Sequence, residues 1–210
     1  IMKKIISIAI ILIMALSCLA SCGDTTSFLG GAQEQEKNII QTSEVYIPIE
    51  KIRTLNPIIT KDEDAYYVDR LIYEGLFGFD ENLALKTVLA DSYSYGDAGY
   101  SVTINLKKGV LWQDGEELTA KDVKFTIDAI ISASYSSGTL FSSSVSNIKS
   151  TKLNNKDPYS ITVYFTNNAN VSMTNFTFPI VPEHKFKNIE AAKKLDTSFI
   201  PIGTGSYKVT

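Results

Sequence analysis

L-K-K-G-V-L-W-Q-D-G-E-E-L-T-A-K-D-V, from Leu106 to Val123, is the stretch on which the reading of this chain turns. It runs from the end of a strand, through a turn, into the start of a helix. Asp114-Gly115 makes a tight turn that the Trp112 ring can cover, and the turn delivers the chain to Thr119. Thr119-Ala120-Lys121-Asp122 has the form of a capping box, in which the Thr hydroxyl accepts from exposed amides while the Asp carboxylate reaches back. A helix is expected from there, with Val123, Ile127, Ile130 and Ile131 on its buried face and Lys121, Lys124 and Asp128 toward solvent. Trp112, Asp114, Gly115, Thr119 and Asp122 therefore read as structural residues.

Upstream, Asp91 to Tyr95 and Tyr100 to Leu106 are β-type runs joined by Gly96 to Gly99, an antiparallel pair. Asp64 to Glu74 places Ala65, Val68, Leu71 and Ile72 at helical spacing, and Gly75 is expected to stop that helix in the left-handed conformation. Earlier still, Val45, Ile47 and Ile49 alternate, which predicts a strand from Glu44 to Ile49 before the Leu55-Asn56-Pro57 turn. Downstream, Ser132 to Ser146 is Ser-rich and expected to be a loop. Val145 to Leu153 and Tyr159 to Phe165 read as strands joined across Asn154 to Pro158. Phe178 to Val181 reads as another strand, and Pro182 as the start of a short helix. Gly203 and Gly205 permit a close backbone bend. The pattern is a mixed α/β (α+β) chain.

At the amino terminus, Lys3 and Lys4 precede an apolar run, Ile5 to Leu16, that is too short to span a bilayer. The run ends in L-A-S-C, Leu19 to Cys22, which resembles the bacterial lipobox. Residues 1–21 are then a signal peptide, and Cys22 is the lipidation site, alkylated by diacylglycerol and acylated further (palmitate). A plain secretory signal or a membrane anchor is the alternative. Two acyl chains give stable anchoring where one gives little. Residues 22–41 are polar and Gly-containing, a flexible tether that would hold the folded part about 25 Å from the membrane.

The formal charge of −3 becomes −5 once Lys3 and Lys4 leave with the leader. With no basic stripe, this speaks against a nucleic-acid partner. Cys18 also leaves with the leader and Cys22 is lipidated, so no disulfide or cysteine metal site is expected. The single histidine, His184, reads as structural, which leaves no nucleophile and base pair, no metal site and no cofactor. Asp62, Glu63 and Asp64 read as a solvated acidic cluster at a helix start rather than an acid and base pair. There is no G-x-x-x-x-G-K-[ST] for binding ATP. The chain is not expected to be an enzyme.

Several motifs occur in a recognisable order: T-L-N-P (Thr54 to Pro57), Y-E-G-L-F-G-F-D (Tyr73 to Asp80), L-A-D-S-Y (Leu89 to Tyr93), the Leu106 to Val123 stretch, I-V-P-E-H (Ile180 to His184) and I-G-T-G-S-Y-K-V (Ile202 to Val209). Together they resemble the family 5 solute-binding proteins of bacterial ABC importers, the oligopeptide, dipeptide and nickel group. Ser206 stands where that family more often has Pro, and Val88 likewise.

The resemblance implies a periplasmic-binding-protein-like, type II architecture of two lobes closing on a solute. Residues 42–61 and 172–210 would belong to an incomplete first lobe, residues 62–171 to its additional subdomain, and the second lobe would be absent from this chain. An amino-terminal fragment is thus expected, with a naturally short protein as the alternative. By position, Thr60, Lys61, Asp62 and Glu63 would edge the ligand cleft, and a loop carrying Tyr135 and Phe141 would point toward the ligand. Solvated charge and ordinary loop packing are the competing readings for these residues.

The implied function is capture of short peptides outside the cytoplasmic membrane, by a monomer that delivers them to permease subunits driven by separate ATPase subunits. Nickel or another small solute is the alternative within the family. A surface sensor or adhesion lipoprotein, or a lipid-anchored hydrolase, is the alternative outside it. The implied location is the outer face of the cytoplasmic membrane in a Gram-positive cell, or its periplasm-facing side otherwise.

Overall fold

The two long β-hairpins pair into one antiparallel sheet, and a long helix covers its apolar face in this computed structural model. The structure describes residues 44–49, 52–136, 138–167, 171–196 and 198–210. The expected leader, Cys22 and the expected tether lie outside the described residues. Among the described residues, no helix is long and apolar enough to cross a membrane.

The elements are α1 (Glu63–Ile72), β1 (Phe77–Phe79), β2 (Leu85–Thr87), β3 (Ala90–Gly96), β4 (Ser101–Leu106), α2 (Ala120–Ser136), α3 (Ser142–Val145), β5 (Ile148–Leu153), β6 (Ser160–Phe165) and α4 (Ile189–Ala192). Short 3₁₀ turns occupy Asp97–Gly99, Met173–Phe176 and Glu183–Lys185. The main sheet has the order β3-β4-β6-β5 with all neighbours antiparallel. β1 and β2 form a separate hairpin.

In the central strands alternate residues turn inward. Val102, Ile104 and Leu106 of β4 and Ile161, Val163 and Phe165 of β6 are buried, and α2 packs on this face with Val123, Ile127, Ile130 and Ala133. Period two on the strands meeting period 3.6 on the helix is what lets both elements bury one side together. The same core takes in Ile58, Ile72, Leu76, Phe176, Phe178 and Ile180.

The capping box forms as expected. The Thr119 amide donates to Asp122 Oδ2 at 2.8 Å, and the Lys121 amide donates to Thr119 Oγ1 at 3.3 Å. Asp122 does more than close the box. Its Oδ1 accepts from the Glu183 amide at 2.9 Å, and one turn later Thr126 Oγ1 accepts from the Val181 amide at 3.0 Å. Helix α2 thereby fixes the I-V-P-E-H segment through two main-chain amides. At the preceding turn Gly115 takes φ +92°, and Trp112 is buried.

Four expectations are corrected. Glu44 to Ile49 is not a strand: it takes no regular structure, and Val45, Ile47 and Ile49 are exposed. Alternation alone does not make a strand where no neighbour supplies a ladder for its amides. The Ser-rich stretch is not all loop, since α2 runs on to Ser136 and α3 follows. Ser134 and Ser136 donate their hydroxyls to the carbonyls of Ile130 and Ser132 at 2.8 and 3.0 Å, so each is satisfied inside the helix.

Phe178 to Val181 is buried but not a paired strand. The Ile180 amide goes to the Glu74 carbonyl at 2.9 Å and the Val181 amide to Thr126. Gly75 is not left-handed. The helix ends at Tyr73 in an extended conformation, and Gly75 is required because a Cβ there would lie 2.8 Å from the Thr177 carbonyl oxygen.

Gly203 and Gly205 do make the expected close approach, onto the carboxyl end of α1. A Cβ on Gly203 would fall 1.8 Å from the Ile72 carbonyl oxygen, and the Gly205 amide donates to that oxygen at 2.8 Å.

Because the buried Asp122 carboxylate accepts from two main-chain amides at once, Asp122→Ala should destabilise the protein by about 2 to 4 kcal/mol, against about 1 kcal/mol for Thr119→Ala. Urea unfolding of both variants checks this ordering.

Candidate functional site

The T-L-N-P segment sets the position of Thr60. The Asn56 amide donates to Thr54 Oγ1 at 3.1 Å, the Ile58 amide donates to Asn56 Oδ1 at 3.1 Å, and Asn56 Nδ2 donates to the Ala192 carbonyl at 2.8 Å. The Ile59 and Thr60 amides then return to the Asn56 carbonyl. One side chain thus closes a turn and pins it to α4. Thr60 emerges from this turn fully buried, with its hydroxyl unpartnered among the described residues.

Asp62 stands at the N-cap of α1 yet makes no capping bond. Its carboxylate is taken by Arg53, with Nη2 to Oδ1 at 2.9 Å and Nε to Oδ2 at 3.3 Å. Hydrogen bonds from Arg53 hold the Asp62 carboxyl below its usual range. Glu63 accepts from Tyr67 Oη at 3.4 Å.

Two hollows meet at Lys61. The first, about 210 Å³, is lined by Arg53, Thr54, Thr60, Lys61, Asp62 and Lys193 together with Ile59 and Leu195. The second, about 560 Å³, is lined by Lys61, Glu63, Tyr66, Tyr67, Phe141 and Thr177 with Leu140 and Ser144. Its floor is aromatic, because Phe141 packs between Tyr66 and Phe178 with ring centroids 6.4 and 6.2 Å apart.

Thr60, Lys61, Asp62, Glu63 and Phe141 are therefore brought together. Tyr135 is not: it lies in the last turn of α2, 89 % exposed, and lines neither hollow. The expected loop position is instead helical. Sequence reading missed Tyr66 and Tyr67, although their spacing from Glu63 on a helix puts them on its side. It also missed Arg53 and Lys193, the latter remote in sequence and without a local signal. Asp114 belongs to neither hollow. It accepts from His184 Nε2 at 2.9 Å and Lys185 Nζ at 2.8 Å. Partial desolvation raises its pKa, but the hydrogen bonds from Lys185 and His184 outweigh that and bring it to about 2.

Residues 84–210 match the bacterial extracellular solute-binding proteins, family 5 middle region. The chain belongs to this family. Glutathione-binding protein GsiB of Salmonella choleraesuis (strain SC-B67) is 31% identical over 157 residues, which cover 74% of this chain and 30% of that protein. NikZ from Campylobacter jejuni, solved in complex with Ni(L-His), superposes with a TM-score of 0.65 at 31% identity over 76% of this chain and 31% of that one. AppA from Bacillus subtilis, an oligopeptide-binding protein solved with a nonapeptide, gives 0.60 at 28% identity over 71% and 30%. The chain spans less than a third of the length of each. Its mixed α/β fold is that of part of a type II periplasmic binding protein.

Helix α1, which carries the site, also holds a buried acid. Neither carboxylate oxygen of Asp69 has a partner among the described residues, and burial raises its pKa from 3.8 to about 8. One turn on, burial and then the Asp69 charge push the Tyr73 phenol well up.

The folded protein thus holds Asp69 protonated at neutral pH, while the unfolded chain ionises it. Its contribution is full below about pH 4 and is lost as the pH rises to about 8. The unfolding free energy should fall across that window by several kcal/mol, and Asp69→Asn should remove that slope. Urea titrations at stepped pH read it out.

Proposed function

We propose that this chain is the solute-contacting part of the extracytoplasmic binding component of an ABC importer, which captures short peptides and passes them to permease subunits powered by separate ATPase subunits. The observation that carries this reading is the surface around Lys61. A buried hydroxyl, cationic side chains and an aromatic floor adjoin there, the mixture a peptide's main chain and side chains require. Family membership and the likeness to an oligopeptide-binding protein solved with a nonapeptide support it.

In this reading residues 42–61 and 172–210 belong to a first lobe, residues 62–171 to its subdomain, and a facing lobe closes over the solute about a hinge. The protein acts as a monomer. Main-chain hydrogen bonds supply affinity without fixing sequence, and bound waters adapt the site to varied side chains.

Calorimetric titration of the product of the complete open reading frame with di- to pentapeptides should give saturable binding. Heat with Ni(L-His) and none with any peptide at millimolar concentration would favour the small-solute reading that the likeness to NikZ suggests.

Cys22 is the proposed lipid attachment point. Cys22→Ser should shift the protein from the membrane pellet to the soluble extracytoplasmic fraction, and retention after a carbonate wash would contradict a lipid anchor.

A further inference from the structure

We infer that the hollow at Thr60 is a carboxylate-binding subsite, and that it receives the carboxyl terminus of the bound peptide while the adjoining aromatic hollow takes an apolar side chain near that end. The inference rests on the peptide-binding reading above and names which end of the peptide this face holds.

The charge around the hollow is unbalanced. Among the described residues, Arg53, Lys61 and Lys193 line it against a single acid, Asp62, which Arg53 neutralises. Lys193 is drawn to Glu190 at 2.8 Å, but Glu190 stands out in solvent, 72 % exposed, and is not part of the lining. Lys61 makes no ion pair among the described residues and borders both hollows. The excess is therefore positive and centred on a side chain with no ion-pair partner among the described residues.

A cationic cluster by itself would attract any anion weakly, since exposed ammonium groups are well hydrated. The second observation is Thr60. It is 1 % exposed, it lines the same hollow, and its Oγ1 has no partner among the described residues. A buried hydroxyl without a partner costs roughly what a lost hydrogen bond costs, so a ligand oxygen that accepts from it regains that energy.

A carboxylate matches both features. One oxygen accepts from the Thr60 hydroxyl and the other from the Lys61 ammonium, charge-assisted and partly shielded from water. Size agrees, because about 210 Å³ leaves room for a carboxylate with its ordered water. The adjoining 560 Å³ hollow, floored by Tyr66, Tyr67 and Phe141, has room for a large apolar side chain. Lys61, on the shared rim, sets the spacing between the two.

The test uses the product of the complete open reading frame and a tripeptide with no acidic side chain and an apolar last residue, prepared as the free acid and as the carboxyl-terminal amide. The free acid should bind about tenfold or more tightly than the amide. Lys61→Met, a change at an exposed position, should erase most of that difference, because the free acid loses far more affinity than the amide. Thr60→Val, which keeps the buried shape, should reduce it in part.

Equal affinities of acid and amide for the unaltered protein would overturn the carboxylate subsite and leave peptide binding standing. An equal loss for both ligands in Lys61→Met would overturn it as well, since that pattern reports packing and not charge. Failure of every peptide to bind would overturn the peptide-binding reading, and this inference with it.

Discussion

The Asp122 carboxylate is the contact on which the described architecture depends. One oxygen closes the amino terminus of α2 by accepting from the Thr119 amide, and the other reaches a segment sixty-one residues later at the Glu183 amide. Thr126 repeats the gesture toward Val181. A helix start and a distant extended segment are thus held by one side-chain surface. The hydrophobic face of α2 drives association with β5 and β6 but is indifferent to register. Directional bonds from Asp122 and Thr126 supply that register, and the turn at Asp114-Gly115 supplies the approach.

The same division of labour holds at the site. Asn56 bonds only to main chain and to its own turn, yet it decides where Thr60 and Lys61 stand. Arg53 takes the carboxylate of Asp62 and so spends the residue that would have capped α1. The local helix rule yields to a tertiary ion pair. What results is a face whose polar and aromatic parts meet at one lysine, placed by residues that do not themselves line the second hollow.

Much of the fold was legible because local and tertiary preferences agree. The two hairpins, the cap at Thr119, the helix from Asp64 and the close approach at Gly203 and Gly205 all carry short-range signals that tertiary packing reinforces. The misreadings came where the two levels part. Glu44 to Ile49 has the alternation of a strand without a described partner, and Phe178 to Val181 has strand composition while its amides bond to a helix side chain and a distant carbonyl. Ser132 to Ser136 looked like loop because serine's competition with the backbone is real, although here the hydroxyls bond within the helix. At the site, residues 60–63 were placed by family order and Phe141 by loop position. Tyr135 failed because the helix extended past it, and Arg53 and Lys193 carry no local pattern that predicts convergence.

The docking of residues 203–207 on α1 has an evolutionary corollary. Gly205 and Tyr207 donate their amides to the Ile72 and Leu71 carbonyls, and Gln113 binds the Gly205 and Tyr207 carbonyls at 3.1 and 2.6 Å. A segment gripped by its peptide groups is largely blind to the identity of its outward side chains. Ser206 in place of the Pro more usual in the family is a substitution such a grip tolerates. Side chains that point away from α1 are therefore free to vary, while a methyl group at either glycine would collide with the carbonyls at the end of α1.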